Sequence, residues 1–574
     1  MNAATQGLVR LPVWRARFVL ALLLLAFGVL GARSLYLQAM RTDFLQEKGD
    51  ARYSRVIDVP ATRGKIVDRH GDALAVSTPV KSVWAIPSDA QFPGTEKRKL
   101  AQLLGIDSSE LDRKLADPTR DFVYLKRQLP PQTADAVAAL GLQGVHQHRE
   151  FRRYYPGGEV TAHVIGFTGV DDAGQEGVEL AFQQHLGGKP GSRRVIKDRL
   201  GHIVEDVESI RSAQDGRDLA LSIDGKLQSL AFSALKGAVE QHRAKAGALV
   251  ALDVRTGEIL ALANVPSYNP NNRARLTGAQ LRNRAVTDLF EPGSTLKPFT
   301  IALALETGKV APSTLVATGP GRLTIANYTI RDVHPAASLS IAQVIQKSSN
   351  VGSAKLALAM PREAMWHLYR RVGFGEAPEL GFPGAAAGKL RHYRSWRPIE
   401  QATMAYGHGI SVSLVQLARA YTVFARDGEL VPLTLVKTNI AASGDKVLSA
   451  ETARAVRAML ELAVQPGGTG PRARIMGWRV GGKTGTAHKP ENGGYAAHKY
   501  LASFVGFAPA SAPRLVIAVM IDEPAAGQHY GGAVAAPVFA QVMQGALRML
   551  GTPHDAPLEP VEFPGEGEEL KEST

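Results

Sequence analysis

Ser294-Thr295-Leu296-Lys297 places a hydroxyl and an amine three residues apart, just after Glu291-Pro292-Gly293 and just before the apolar helical run Phe299 to Leu305. On a helix this spacing puts both groups on one face, so the Lys297 amine can reach the Ser294 hydroxyl. Pro298 fits the first helical turn, where its missing N–H costs little. A serine hydroxyl is a poor nucleophile near neutral pH and needs a base, and a lysine serves as one only if burial or a second cation lowers its pKa. By itself the pattern carries little, since average composition yields about one or two copies in a chain of this length. Ser233-Ala234-Leu235-Lys236 is such a copy, set in the middle of an amphipathic helical pattern and read as structural.

Two further clusters change the weight of the first. Ser348-Ser349-Asn350 follows the helical run Ile341 to Gln346 and precedes another apolar stretch. Ser348 can relay a proton to a leaving amine, and Asn350 offers a donor and an acceptor to a substrate amide; alone, these residues would read as a helix cap. Lys483-Thr484-Gly485-Thr486 ends the strand-like Trp478-Arg479-Val480. Gly485 lets an extended substrate approach the strand backbone, while Lys483 and the hydroxyls of Thr484 and Thr486 can hold a carboxylate. The three motifs, in this order within one domain, are far more specific than any one of them.

The chain around them has 574 residues, 45% hydrophobic and 21% charged, which excludes a mostly disordered, collagen-like or multi-spanning membrane protein. Cysteine is absent, so a disulfide framework, a zinc-thiolate site, an iron-sulfur cluster and a cysteine nucleophile are excluded together. The formal net charge is +14, yet aromatics are only 6% and no basic stripe interleaves with them, so there is no nucleic-acid signature. An anionic membrane face or cell-wall polymer uses the charge equally well.

Phe18 to Ala32 is an uninterrupted apolar run flanked by Arg10, Arg15, Arg17 and Arg33. It reads as a retained anchor over 17–37 rather than a cleaved signal, because no small-x-small cleavage site follows it, with residues 1–16 as a cytoplasmic tail. From 38 to 215 the chain reads as irregular α+β. Thr62 to Gly71 pairs a short apolar strand with a turn and is expected to be a charged loop holding two subdomains together, and His163 a structural histidine. From 216 to 552 apolar periodicity strengthens. Leu227 to Ala238 reads as a helix, Ala248 to Asp253 with Glu258 to Ala263 as one hairpin, and Tyr500 to Ala508 with Arg514 to Ile521 as another. Leu515 to Ile521 has no polar residue, so it is expected at the centre of a sheet covered on both faces, and Ala535 to Leu550 reads as a closing helix. The tail 553–574, rich in Glu, Pro and Gly, reads as disordered.

The motif set resembles the class B penicillin-binding proteins. The likeness extends over nearly the whole chain, through Arg63-Gly64-Lys65-Ile66-Val67-Asp68-Arg69, Arg153-Tyr154-Tyr155-Pro156, Ala162-His163, Ser267-Tyr268-Asn269-Pro270-Asn271-Asn272 and Asn283-Arg284. Asn350 favours the division branch of that family over the elongation branch, which more often carries an aspartate there. The resemblance implies an α+β chain with a single transmembrane helix, an irregular dimerisation-type pedestal over 38–215 and, over 216–552, a transpeptidase domain whose five-stranded antiparallel sheet lies between helices. It implies that Ser294 attacks a D-Ala-D-Ala stem peptide, Lys297 takes its proton, Ser348 passes a proton to the departing amine and Asn350 positions the donor. Lys483, Thr484 and Thr486 would hold the terminal carboxylate, with Gly485 admitting the substrate, and the backbone N–H groups of Ser294 and Thr486 would form the oxyanion hole.

No cofactor or metal is implied. The implied partners are peptidoglycan stem peptides, β-lactam antibiotics, a septal glycosyltransferase and other division proteins. The implied location is the bacterial inner membrane, with the catalytic domain in the periplasm. The roughly 180 residues ahead of the transpeptidase domain are too few for a glycosyltransferase domain as well. Alternatives are an elongation-type transpeptidase and a β-lactam-binding scaffold or sensor without turnover.

Overall fold

Val13–Leu35 forms one helix of 23 residues, rising roughly 35 Å, long enough for a hydrocarbon core of about 30 Å. Among the described residues nothing covers its apolar side chains, and it is the only described helix long and apolar enough to cross a membrane. The computed structural model describes residues 12–40, 54–90, 92–197, 203–491 and 494–561. Most of the expected cytoplasmic tail and residues 562–574 of the expected disordered tail lie outside these. Within 553–561, Asp555 accepts hydrogen bonds from the Arg479 N–H and the Ser511 hydroxyl.

Beyond the helix the chain divides into two units, one of Met1–Ala61, Val80–Glu150 and Lys189–Asp215, the other of Thr62–Pro79, Phe151–Gly188 and Gly216–Thr574. The division falls inside the 38–215 stretch. In the first unit, Val83 and Ala85 on one strand and Leu125 and Leu129 on Val123–Leu129 alternate toward the helices Gly94–Leu104, Ser108–Leu115 and Pro131–Ala138. A separate three-stranded sheet joins Ser54–Val59, Gly191–Lys197 and Ile203–Arg211.

In the second unit the expected charged loop around Arg63 is more deeply set than surface-charge base rates suggest. Arg63 is buried, and its Nε donates to Glu179 Oε2 at 2.6 Å while Arg153 Nε donates to Glu179 Oε1 at 2.6 Å. Arg63 Nη2 also donates to Glu179 O and Arg153 Nη2 to Gly64 O, both at 2.7 Å. Guanidinium groups leave water only when paired and hydrogen-bonded in this way, and the partners lie 26 to 116 residues apart, beyond local sequence patterns. His163 is buried as expected of a structural residue, its ring against Gln280 O at 2.7 Å; burial pushes its imidazole down to about 4.

The elements that frame the motifs are, in chain order, α1 (Gly225–Gln241), β1 (Ala246–Asp253), β2 (Ile259–Val265), α2 (Lys297–Glu306), α3 (Ile341–Gln346), α4 (Asn350–Leu358), α5 (Leu414–Ala425), β3 (Gly481–Glu491), β4 (Gly494–Ala508), β5 (Leu515–Asp522) and α6 (Ala536–Met549). The strands form an antiparallel sheet of order β2-β1-β5-β4-β3. Both hairpins read from the sequence are present, and β5 lies at the centre. Alternation explains its two-sided burial: Leu515, Ile517, Val519 and Ile521 face α1 and α6, whereas Val516, Ala518 and Met520 face the layer containing Phe299 of α2 and Leu417 of α5. β3, at the sheet edge, carries the lysine motif.

Candidate active site

The first motif is a 3₁₀ turn over Gly293–Leu296 followed by α2, so Ser294 stands just outside the α-helix rather than within it. The turn is tightly fixed. Gly293 N donates to Gly407 O at 3.3 Å, Thr295 Oγ1 to Pro292 O at 2.7 Å, and Tyr421 OH to Thr295 O at 2.7 Å. Gly407 sits at φ +89°, and a Cβ there would lie 2.2 Å from Gly293 O, so only glycine lets the two segments meet. In this frame Lys297 Nζ donates to Ser294 Oγ at 2.9 Å.

The same amine reaches the second motif, at 2.5 Å from Ser348 O and 3.0 Å from Ser348 Oγ. Ser294, Lys297 and Ser348 are all buried. Ser348 lies in the turn between α3 and α4 at φ +57°, a left-handed conformation that a non-glycine residue holds only when its surroundings impose it. The helix cap is its neighbour: Ser349 Oγ accepts the Gly352 N–H at 2.9 Å. Asp332 ties this turn together, accepting from Ser349 Oγ at 2.6 Å, Asn350 N at 2.6 Å and Val351 N at 3.0 Å. Asn350 Nδ2 donates to Arg331 O at 3.3 Å, while its buried Oδ1 has no hydrogen-bond partner among the described residues. An unspent buried acceptor is costly unless a ligand completes it.

The third motif lies within β3, which begins at Gly481, after the Trp478 to Val480 segment the sequence suggested as strand. The Trp478 indole instead donates to Pro553 O. Lys483 Nζ donates to Thr484 O at 3.2 Å, Thr484 Oγ1 at 3.1 Å and Thr469 Oγ1 at 3.3 Å. Thr469 and Thr484 hydroxyls meet at 2.7 Å, and Thr486 Oγ1 accepts the Gly531 N–H at 3.0 Å. Gly485 has a requirement other than the one read from the sequence. A Cβ there would meet Ser503 Oγ at 2.6 Å, Pro292 O at 2.9 Å and Thr295 Cγ2 at 2.9 Å, so the glycine lets the serine turn sit directly on β3.

The structure therefore brings Ser294, Lys297 and Ser348 into one hydrogen-bonded group and sets the serine turn against the Lys483 strand. The copy at Ser233 and Lys236 is different: Lys236 Nζ pairs with Glu159 at 3.0 Å, and Ser233 lies on exposed helix surface. Sequence reasoning missed Asp332 and Thr469, which act at distances in sequence that no short motif spans. It also gave no role to Glu291, three residues before Ser294. Glu291 Oε1 accepts from Gly409 N at 2.8 Å, Oε2 accepts from Tyr495 OH at 3.0 Å, and His408 Nδ1 lies 3.3 Å from Oε2. Burial alone raises this carboxyl, but His408, the Gly409 N–H and Tyr495 outweigh it and hold Glu291 below the usual value.

A serine-lysine-serine group, with the serine turn packed on an edge strand that bears a buried lysine, has the residue types and order of penicillin-binding transpeptidases. Residues 247–544 match the model of the penicillin-binding protein transpeptidase domain, and residues 58–221 match that of the penicillin-binding protein dimerisation domain. The chain is 46% identical to the probable peptidoglycan D,D-transpeptidase PenA of Neisseria gonorrhoeae, over 95% of this chain and 94% of that one. It is 44% identical to the peptidoglycan D,D-transpeptidase FtsI of Escherichia coli, over 95% of this chain and 93% of that one. Among solved structures it resembles the apo transpeptidase domain of Burkholderia pseudomallei penicillin-binding protein 3, at 51% identity and a TM-score of 0.55, covering 59% of this chain and 98% of that one. The chain belongs to the class B penicillin-binding proteins, in the family of the FtsI and PenA D,D-transpeptidases.

Proposed function

We propose that this protein is a penicillin-sensitive serine D,D-transpeptidase that cross-links peptidoglycan stem peptides at the division septum. The observation that carries the reading is the Lys297 amine, within 3.0 Å of both the Ser294 and Ser348 hydroxyls in a buried site. Lys297 takes the Ser294 proton as Oγ attacks the penultimate D-alanine carbonyl, an ester forms, the bond to the terminal D-alanine breaks, and Ser348 passes a proton to the departing amine. The N–H groups of Ser294 and Thr486 hold the oxyanion; in analogous sites one such donor is worth about 2.7 to 4 kcal/mol.

Lys483 and Thr486 receive the terminal carboxylate. Thr484, whose hydroxyl is engaged by Thr469 and Lys483, contributes by orienting that lysine. Gly485 keeps β3 close to the nucleophile, and Asn350 Oδ1 accepts an N–H of the donor peptide. An amine on a neighbouring stem peptide then attacks the ester, releasing Ser294. β-Lactams present the same carboxylate and carbonyl and stop at the ester.

The helix Val13–Leu35 serves as a single-pass anchor in the bacterial inner membrane, with the N-terminus cytoplasmic and the remainder periplasmic; the arginines ahead of it support that orientation. Residues 38–215 form the pedestal that docks a septal glycosyltransferase and other division proteins, and 216–552 the catalytic domain. The reaction is tested with a synthetic stem pentapeptide and an amine acceptor. D-Alanine release coupled to acceptor incorporation, lost in Ser294→Ala, is the expected result; release into water alone would make the protein a carboxypeptidase. Co-purification of the full chain with a membrane glycosyltransferase tests the pedestal, and a folded chain that retains none counts against it.

A further inference from the structure

On the sheet face opposite α2, a cleft of about 610 Å³ opens between α1 and α6. Its polar wall consists of Ser233, Gln241, His242, Arg472, Gln528 and Gln541, and Ala234, Ala238 and Val538 form its floor. Among the described residues, the exposed side chains of Gln241, Gln528 and Gln541 and the half-buried His242 ring make no hydrogen bond to the protein, so all of them can exchange water for a ligand in one shared space. No carboxylate lines it, and Arg472 is its one cation. Burial and the neighbouring Arg472 hold the His242 imidazole below its ordinary value, which keeps it neutral at pH 7.

These groups favour one ligand chemistry. A carboxamide and a neutral imidazole each donate and accept, as a sugar hydroxyl does. The alanine and valine floor suits the C–H face of a pyranose and the methyl of an acetamido group. A stem peptide, with several carboxylates and an amine, calls for more counter-charges than a single guanidinium. The walls also continue into the catalytic strand. Arg472 lies three residues beyond Thr469, which touches Thr484 and Lys483, and Gln528 lies three residues before Gly531, whose N–H donates to Thr486.

We propose that this cleft is an accessory binding site for the neutral N-acetylated sugar chain of the polymer whose peptides the enzyme joins. The site is separate from the one that acylates and shares two wall segments with it. The inference rests on the reading of the chain as a peptidoglycan transpeptidase.

The test uses the full chain in detergent and N-acetylglucosamine tetrasaccharide as the probe, with affinity measured by calorimetry. Saturable binding is expected, weakened at least tenfold by Gln541→Ala and by Gly237→Phe, with penicillin still acylating both variants at the normal rate. Gly237 is exposed on α1 with open space where a Cβ would stand, so the phenylalanine fills the cleft rather than straining the helix. Gln241→Ala replaces it should the larger side chain impair acylation. No saturable binding, equal affinity in the variants, or loss of sugar binding on acylation of Ser294 would each overturn the proposal. Failure of penicillin to acylate the unaltered chain would instead count against the transpeptidase reading, so the two are distinguished.

Discussion

The carboxylate of Asp332 accepts the backbone N–H of Asn350 at 2.6 Å, and through that contact a residue outside every recognised motif sets the position of the second one. The same carboxylate holds Ser349 Oγ and Val351 N, at the N-terminus of α4, where a negative charge is also favoured by the helix dipole. Ser348, strained at φ +57°, is one residue away from this clamp.

Asp332→Ala should therefore act on chemistry as well as stability. Charge-assisted hydrogen bonds of this kind are worth about 1.5 to 3 kcal/mol each before relaxation, so a loss of about 2 kcal/mol in unfolding free energy is expected. The penicillin acylation rate should fall by roughly 10- to 100-fold, because displacement of positioned groups by about 1 Å costs that order. Thermal unfolding and stopped-flow acylation read the two separately. A variant that is destabilised but acylates at the normal rate would show that Asp332 does not position Ser348 and Asn350.

Lys297→Met removes the base while keeping an unbranched side chain one atom shorter. Acylation should slow by about 10² to 10⁴, the usual contribution of a positioned general base. The methionine leaves a buried apolar side chain between two serines, so circular dichroism should show a folded protein. A variant acylated within a factor of a few of normal would assign the proton transfer to another group.

His163 gives the fold a pH dependence whose sign is fixed. Its folded value of about 4 lies below the ordinary 6.5, so between these values the unfolded chain binds a proton that the folded chain does not. Its contribution is complete above about pH 6.5 and is lost as pH falls toward 4, on the order of 3 kcal/mol over that window. Denaturant unfolding at pH 7 and pH 4.5 should show this loss, and His163→Gln should reduce it. An unchanged slope in the variant would contradict the assignment.

The catalytic fold was legible because its strands are short apolar runs with clear turns: Leu515 to Ile521 announced a central strand, and Pro509 to Pro513 the connection before it. β4 is longer than expected, beginning at Gly494 rather than Tyr500, because Gly494 to Lys499 is largely exposed and lacks apolar alternation. Glu491 pairs with Gly494, and the sequence between them, Asn492-Gly493, is a two-residue hairpin signal.

At the site, Ser294 and Lys297 could be paired from spacing alone, since three residues on a helical turn fix their separation. Asp332, Thr469 and Gly407 could not, because each meets its partner through tertiary packing. Gly485 carries a second requirement that the sequence does not show: the space it leaves is taken by the serine turn. The burial of Arg63 was not legible because its neutralising Glu179 is 116 residues away, and an arginine in a charged stretch ordinarily belongs at the surface.

The central claim is an acyl ester on Ser294, and intact mass spectrometry of the protein after incubation with benzylpenicillin tests it most directly. The account predicts one adduct of the mass of the whole antibiotic, located on the peptide containing Ser294 and absent from a folded Ser294→Ala variant. A folded, unaltered chain that gains no mass, or an adduct that persists in Ser294→Ala, would contradict it.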